Sequence, residues 1–144
     1  MAKIDLIEER LTRSVIGAFF DVYNTLGFGF LEHIYVNALE RELIARGHRV
    51  GCEVGVHVSY KGHDLGLQRL DMIVDGKVIV ETKSTYDLHK AARRQVLNYL
   101  RATNLEVGLL FHFGPEPRFY RLVSRNQPYP RDPVFPRHPI EPLT

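Results

Sequence analysis

The chain has 144 residues, 44% of them hydrophobic and 25% charged, with a net charge of +2. That length and balance suit one globular domain with a real core, and exclude a disordered or fibrous chain. A single cysteine, Cys52, excludes a disulfide framework and a cysteine zinc cluster, and no apolar run approaches the ~20 residues of a membrane span.

The opening residues lack the apolar stretch of a secretion signal, so a cytoplasmic protein with no membrane association is expected. Leu11, Val15, Ala18, Val22 and Leu26 recur at helical spacing and predict a helix from about Ile4 to Leu26, stopped by Gly27-Phe28-Gly29. A second helix is expected from about Leu31 to Arg46, with Ile34, Ala38 and Leu39 inward and Gly47 at its end. Val50 to Tyr60 alternates as a strand, and Lys61-Gly62-His63-Asp64 reads as a turn. Two further strands flank Asp75-Gly76. A helix follows from about Tyr86 to Thr103, then strands at Val107–Phe113 and Arg118–Val123. The expected order is ααβββαββ, an α/β domain over residues 1–123 with a mixed central sheet flanked by helices. From about Ser124 the character changes. Six of the eight prolines lie between 128 and 142, so residues 124–144 read as an extended tail unable to form a helix or a central strand.

The strongest chemical signal lies on the two strands around Asp75-Gly76. Asp71 ends the polar cluster Gln68-Arg69-Leu70-Asp71, and Val78-Ile79-Val80 leads into Glu81-Thr82-Lys83. Two carboxylates and an ammonium on neighbouring strands make a metal site with a charged helper. Such a site suits phosphodiester hydrolysis, in which a divalent cation polarises the phosphoryl group and activates water. Side-chain parity sets a condition on the turn. A two-residue turn pairing Val74 with Lys77 sends Asp71 and Glu81 to opposite faces. A three-residue type I turn with left-handed Gly76 pairs Ile73 with Lys77 and puts Asp71, Ile79, Glu81 and Lys83 on one face. The other face then carries Leu70, Met72, Val74, Val78 and Val80. Taken alone, the same residues also fit a charged pair at the rim of an ordinary sheet.

Charge is unevenly spread. Residues 82–105 carry Lys83, Lys90, Arg93, Arg94 and Arg101 against Asp87 alone. A basic block beside a carboxylate cluster suits a polyanion, and equally describes a solvated helix face. Gln95 and Tyr99 stand one turn apart on the stripe of Leu88 and Ala92, where Gln95 either faces the metal site or sits at the helix boundary. Glu32, in a first helical turn, has a sufficient reason in the helix dipole. His48, His57, His63 and His138 read as surface residues.

Taken in series, these motifs resemble a known family. Gly29-x-x-Glu32-x-x-Tyr35 is similar to the signature of the GxxExxY protein family, of the PD-(D/E)XK nuclease superfamily. The likeness spans roughly residues 4–123, through Arg69-Leu70-Asp71, Val80-Glu81-Thr82-Lys83 and Gln95 to Leu100. The chain departs from the family at Tyr23, usually histidine, and Phe28, usually proline. The resemblance implies a restriction-endonuclease-like core, with Asp71 and Glu81 as metal ligands and Lys83 as the catalytic lysine. It also implies Glu32 as an accessory carboxylate and Gln95 as a site-facing helper. The resulting expectation is a nuclease dependent on Mg²⁺ or Mn²⁺, acting on DNA. Asp71, Glu81 and the Thr82 carbonyl would hold the metal, and Lys90, Arg93, Arg94 and Tyr99 would meet the nucleic acid. A homo-oligomer is compatible with this reading. The rival expectation is a binding module that kept the fold without turnover.

Overall fold

The computed structural model describes residues 7–124 and the backbone of 140–142. Two helices come first, α1 (Glu9–Leu26) and α2 (Glu32–Ala45). The strands β1 (Val50–Tyr60), β2 (His63–Val74) and β3 (Val78–Lys83) follow, then the helix α3 (Ala92–Thr103). The chain closes with β4 (Val107–Phe113), β5 (Pro117–Val123) and a short β6 (Ile140–Pro142). The sheet order is β5-β4-β3-β2-β1-β6. Only β3 and β4 run parallel, because α3 carries the chain back between them; the other pairs are antiparallel. The expected α/β class and mixed sheet between helices hold.

The sheet divides the core in two. On one side α1 and α2 pack Val15, Phe19, Val22, Tyr35, Leu39 and Leu43 against Met72, Val74, Val78, Val80 and alternate residues of β4. On the other, Val96, Tyr99 and Leu100 of α3 cover Ile73, Ile79 and Leu110. Gly108 allows that second contact, since a Cβ there would lie 2.6 Å from a Val96 methyl.

Several expectations need correction. In α2 the buried face is Tyr35, Leu39 and Leu43, whereas Ile34 is 37% exposed. Phe113 supplies the reason, stacking on the Tyr35 ring at 4.0 Å and rotating the helix to seat it. The third helix begins at Ala92 rather than Tyr86, because the Ala91 and Ala92 amides are turned back onto His89. The start at Ile4 and residues 125–139, including His138, lie outside the described residues. Within the proline-rich stretch, residues 140–142 pair with Val54, Gly55 and Val56 as an edge strand, a position that tolerates Pro142.

The hairpin register also differs from expectation. Ile73 pairs with Ile79, not Lys77, and Val74 pairs with Val78. Asp75 and Gly76 both have positive φ, 52° and 65°, so the turn is not the type I form. Asp75 holds this costly backbone by bonding outward: its carboxylate accepts from the Arg49 N–H and its own N–H donates to the Arg49 carbonyl. The register moves by two residues, and a shift of two preserves side-chain parity. Asp71 and Glu81 therefore stay on one face. Leu70 does not join Met72 and Val74. It packs with Val54 and Val56 on the α3 side, across a break where Glu53 takes φ 51°.

Candidate active site

The backbone ladder between β2 and β3 ends at Met72 and Val80. Beyond it the strands are joined by side chains. The Asp71 N–H donates to Glu81 Oε1 at 3.0 Å, while Asp71 Oδ2 accepts from the Thr82 N–H and hydroxyl, each at 2.9 Å. Each carboxylate thus satisfies a backbone amide of the opposing strand, which fixes both in place. Glu81 is 4% exposed. Burial, then the Asp71 charge, pushes its carboxyl up to about 8. Lys83 Nζ lies 3.9 Å from Glu81 Oε2 and keeps partial access to solvent.

Glu32 joins this group from the first turn of α2. Burial and then Asp71 raise its carboxyl above the ordinary range, while Lys83 and a hydrogen bond from the Ser84 backbone oppose the rise. Its position is set by the preceding loop. Gly29 adopts φ 115°, open to glycine, and the Tyr35 hydroxyl donates to the Gly27 carbonyl and accepts from the Phe30 N–H. From α3, Gln95 Nε2 donates to the Tyr99 hydroxyl at 2.8 Å. Burial and the Glu81 charge push Tyr99 up to about 12, so this pair stands against the carboxylates.

Asp71, Glu81, Thr82, Lys83, Glu32, Gln95 and Tyr99 therefore converge. The basic residues divide. Arg94 borders, with Lys83, Gln95 and Asn98, a cleft of about 490 Å³. Arg93 does not reach it; its guanidinium lies over the Tyr120 ring at 3.9 Å. Lys90 is exposed just before α3. Tyr99 is 6% exposed and its hydroxyl accepts from Gln95, so it offers little surface to a nucleic acid. Ser84 was not singled out by its sequence. It touches Glu32 and, through its hydroxyl, the Phe30 carbonyl. Its only sequence signal is its place directly after Lys83.

No three His, Cys, Asp or Glu side chains form a ready cage among the described residues. Mg²⁺ does not require one, since it takes one or two carboxylates and retains several waters. The donor set fits such an ion. Asp71 raises both Glu81 and Glu32, and Glu32 in turn raises Glu81, so these carboxylates share an excess of negative charge. A divalent cation would relieve it.

A second polar cluster lies elsewhere. His48 bridges Ser14 Oγ at 2.7 Å and Asp75 Oδ2 at 2.8 Å, with a side chain only 14% exposed, so it is not a surface residue. The connectivity is that of a hydrolase triad. Ser14, however, sits inside α1 and does not line the adjoining cleft of Glu8, Arg10, Leu11 and Lys77. The cluster fastens α1 to the hairpin turn.

A mixed sheet between helices, with Asp on one central strand and Glu-x-Lys on the next, defines a restriction-endonuclease-like domain. The family model described as the PD-(D/E)XK nuclease superfamily matches residues 9–122, and the chain belongs to that superfamily. Its nucleases generally use divalent metals such as Mg²⁺. No curated protein matches the chain. Among solved structures, the crystal structure of SSO0001 is similar, with a TM-score of 0.52 and 19% identity over 81% of this chain. This chain spans 59% of that protein's length, and at this identity the likeness concerns the fold alone. No described helix is long and apolar enough to cross a membrane.

Proposed function

We propose that the protein is a Mg²⁺- or Mn²⁺-dependent nuclease that hydrolyses DNA phosphodiester bonds. One observation carries the reading: a buried Glu81 is held between Asp71 and Lys83, where burial and like charge disfavour the bare carboxylate. Asp71, Glu81 and the Thr82 carbonyl would hold the ion, which polarises the phosphoryl group when bound. Lys83 would orient water and steady developing charge, Gln95 would orient a phosphate, and Arg94 with Lys90 would meet the backbone. Gly29, Glu32 and Tyr35, each with a distinct structural task, support membership of the GxxExxY family. We also read residues 1–123 as the nuclease domain and 124–144 as an appended extension. The lone Cys52 supports a cytoplasmic setting.

A rival reading has its own observation. Asp71 Oδ2 already accepts two hydrogen bonds from Thr82, the state of a structural rather than a ligating carboxylate. On that reading the pocket binds nucleic acid without cleaving it. Lys83→Ala separates the two. In a nuclease it should lower cleavage by ~10²-fold or more, as for loss of one preorganised donor. Mn²⁺ affinity should be unchanged or higher, and DNA affinity slightly lower. If the wild type cleaves neither single- nor double-stranded DNA with either metal, the nuclease reading is lost.

A further inference from the structure

Two loops rim the candidate site, residues 27–31 ahead of α2 and residues 84–91 ahead of α3. The Ser84 hydroxyl donates to the Phe30 carbonyl and ties them together. Both loops expose large apolar side chains: Phe28 is 43% exposed, Phe30 47%, Leu31 70% and Tyr86 73%. The Phe28 and Tyr86 rings meet across the gap, centroids 6.4 Å apart and planes at 66°. Apolar side chains gathered on adjacent loops mark a binding surface rather than scattered exposure. These loops also carry or adjoin Glu32 and Lys83.

We propose that Phe28 and Tyr86 form a stacking shelf for unpaired nucleobases, which directs the site to single-stranded nucleic acid. The proposal rests on the nuclease reading and names its substrate class. Charge selects the occupant. Lys83 and Arg94 share a cleft along the second loop and suit a phosphate backbone, while Tyr86 lines the next cleft with Glu116 and Arg118; an apolar peptide gains nothing from these cations. The rings select strandedness. Bases within a duplex are stacked on one another and offer a face only at its two ends, while every unpaired base offers one. The edge-to-face arrangement leaves ring surface open on two loops that run directly into Glu32 and out of Lys83.

The test uses the full chain in EDTA, so that no cleavage intervenes. The probes are a short single-stranded DNA carrying 5-iododeoxyuridine and a blunt duplex of the same sequence. Ultraviolet light should cross-link the single strand to Phe28 or Tyr86, located by mass spectrometry. Phe28→Ala with Tyr86→Ala should weaken single-strand binding about 10-fold and leave the duplex within about 2-fold. Phe28→Tyr with Tyr86→Phe should retain the preference. Melting temperatures should stay close to wild type, both rings being exposed. Equal losses on both probes, no cross-link at either ring, or no single-strand binding by the wild type would overturn the shelf. A surface that instead captures protein gives the last of these results. Cleavage assays with Mg²⁺ and Mn²⁺ keep the two readings apart. Cross-linking without cleavage removes the nuclease and leaves the shelf, whereas cleavage with unchanged strand preference in the double alanine variant does the reverse.

Discussion

Tyr35 is fully buried, yet its hydroxyl serves two main-chain groups, the Gly27 carbonyl and the Phe30 N–H. Through them it shapes the loop that delivers Glu32. Tyr35→Phe keeps the ring on Phe113 and strips both bonds. Losing two part-buried hydrogen bonds should cost about 1–3 kcal/mol. Urea unfolding should show that loss as a lower midpoint with an unchanged slope. Metal affinity should fall with it if Glu32 assists the ion. The sequence made Glu32 and Tyr35 legible as a spaced motif, with Tyr35 packed, but not the task of the Tyr35 hydroxyl, because spacing within a helix says nothing about the loop that helix faces. Ser84 was illegible for a similar reason. A serine earns notice only once a fold brings a carboxylate and a carbonyl to it.

Among elements, the hairpin of β2 and β3 shows how far patterning reaches. Alternation alone left two outcomes open, decided by the length of the turn; the register found lies two residues from the bulged one expected, and Asp71 and Glu81 share a face because parity survives a shift of two. The register itself was not legible, because it depends on Asp75 bonding to Arg49 and His48, residues more than twenty positions away. Those bonds have a pH signature. The Arg49 N–H, helped by His48, holds the Asp75 carboxyl below its usual range. Its folded pKa is lower than its unfolded one. The stabilisation is therefore complete above the ordinary aspartate range, and is lost as pH falls through the folded value. Asp75→Asn, which keeps a left-handed backbone accessible, should lower the melting temperature at neutral pH. The gap to wild type should close as acid is added below about pH 4. A constant gap across that range would show that Asp75 acts through geometry alone. The α3–β4 contact gives a second measure at this scale. Gly108→Ala drives a methyl into Val96 and should cost about 1–3 kcal/mol in chemical denaturation, with α3 and its Gln95 displaced from the carboxylates.

For the whole molecule, the basic block after Glu81 resolves into separate tasks. Arg93 is spent on Tyr120, while Arg94 borders the cleft. Arg94→Ala should weaken DNA binding and reduce the magnitude of its salt slope by about 1. Arg93→Ala should change the slope less and lower stability instead. Equal slopes for the two variants, from affinities measured over a salt series, would show that both meet phosphate. The class of fold was legible because helical and strand periods are local. The exchange of faces at Glu53 and the partner of residues 140–142 were not, since each depends on long-range pairing. Long range is also the character of the seat of α1. The Tyr23 hydroxyl reaches the Gly114 carbonyl across 91 residues, and the Phe19 ring stacks on Phe111. During synthesis α1 leaves the ribosome well before β4 exists. Its apolar stripe can meet α2 early but lacks the seat of Phe111 and Phe113 until β4 emerges, so stalled or truncated chains ending before β4 should be the ones that chaperones hold and proteases remove.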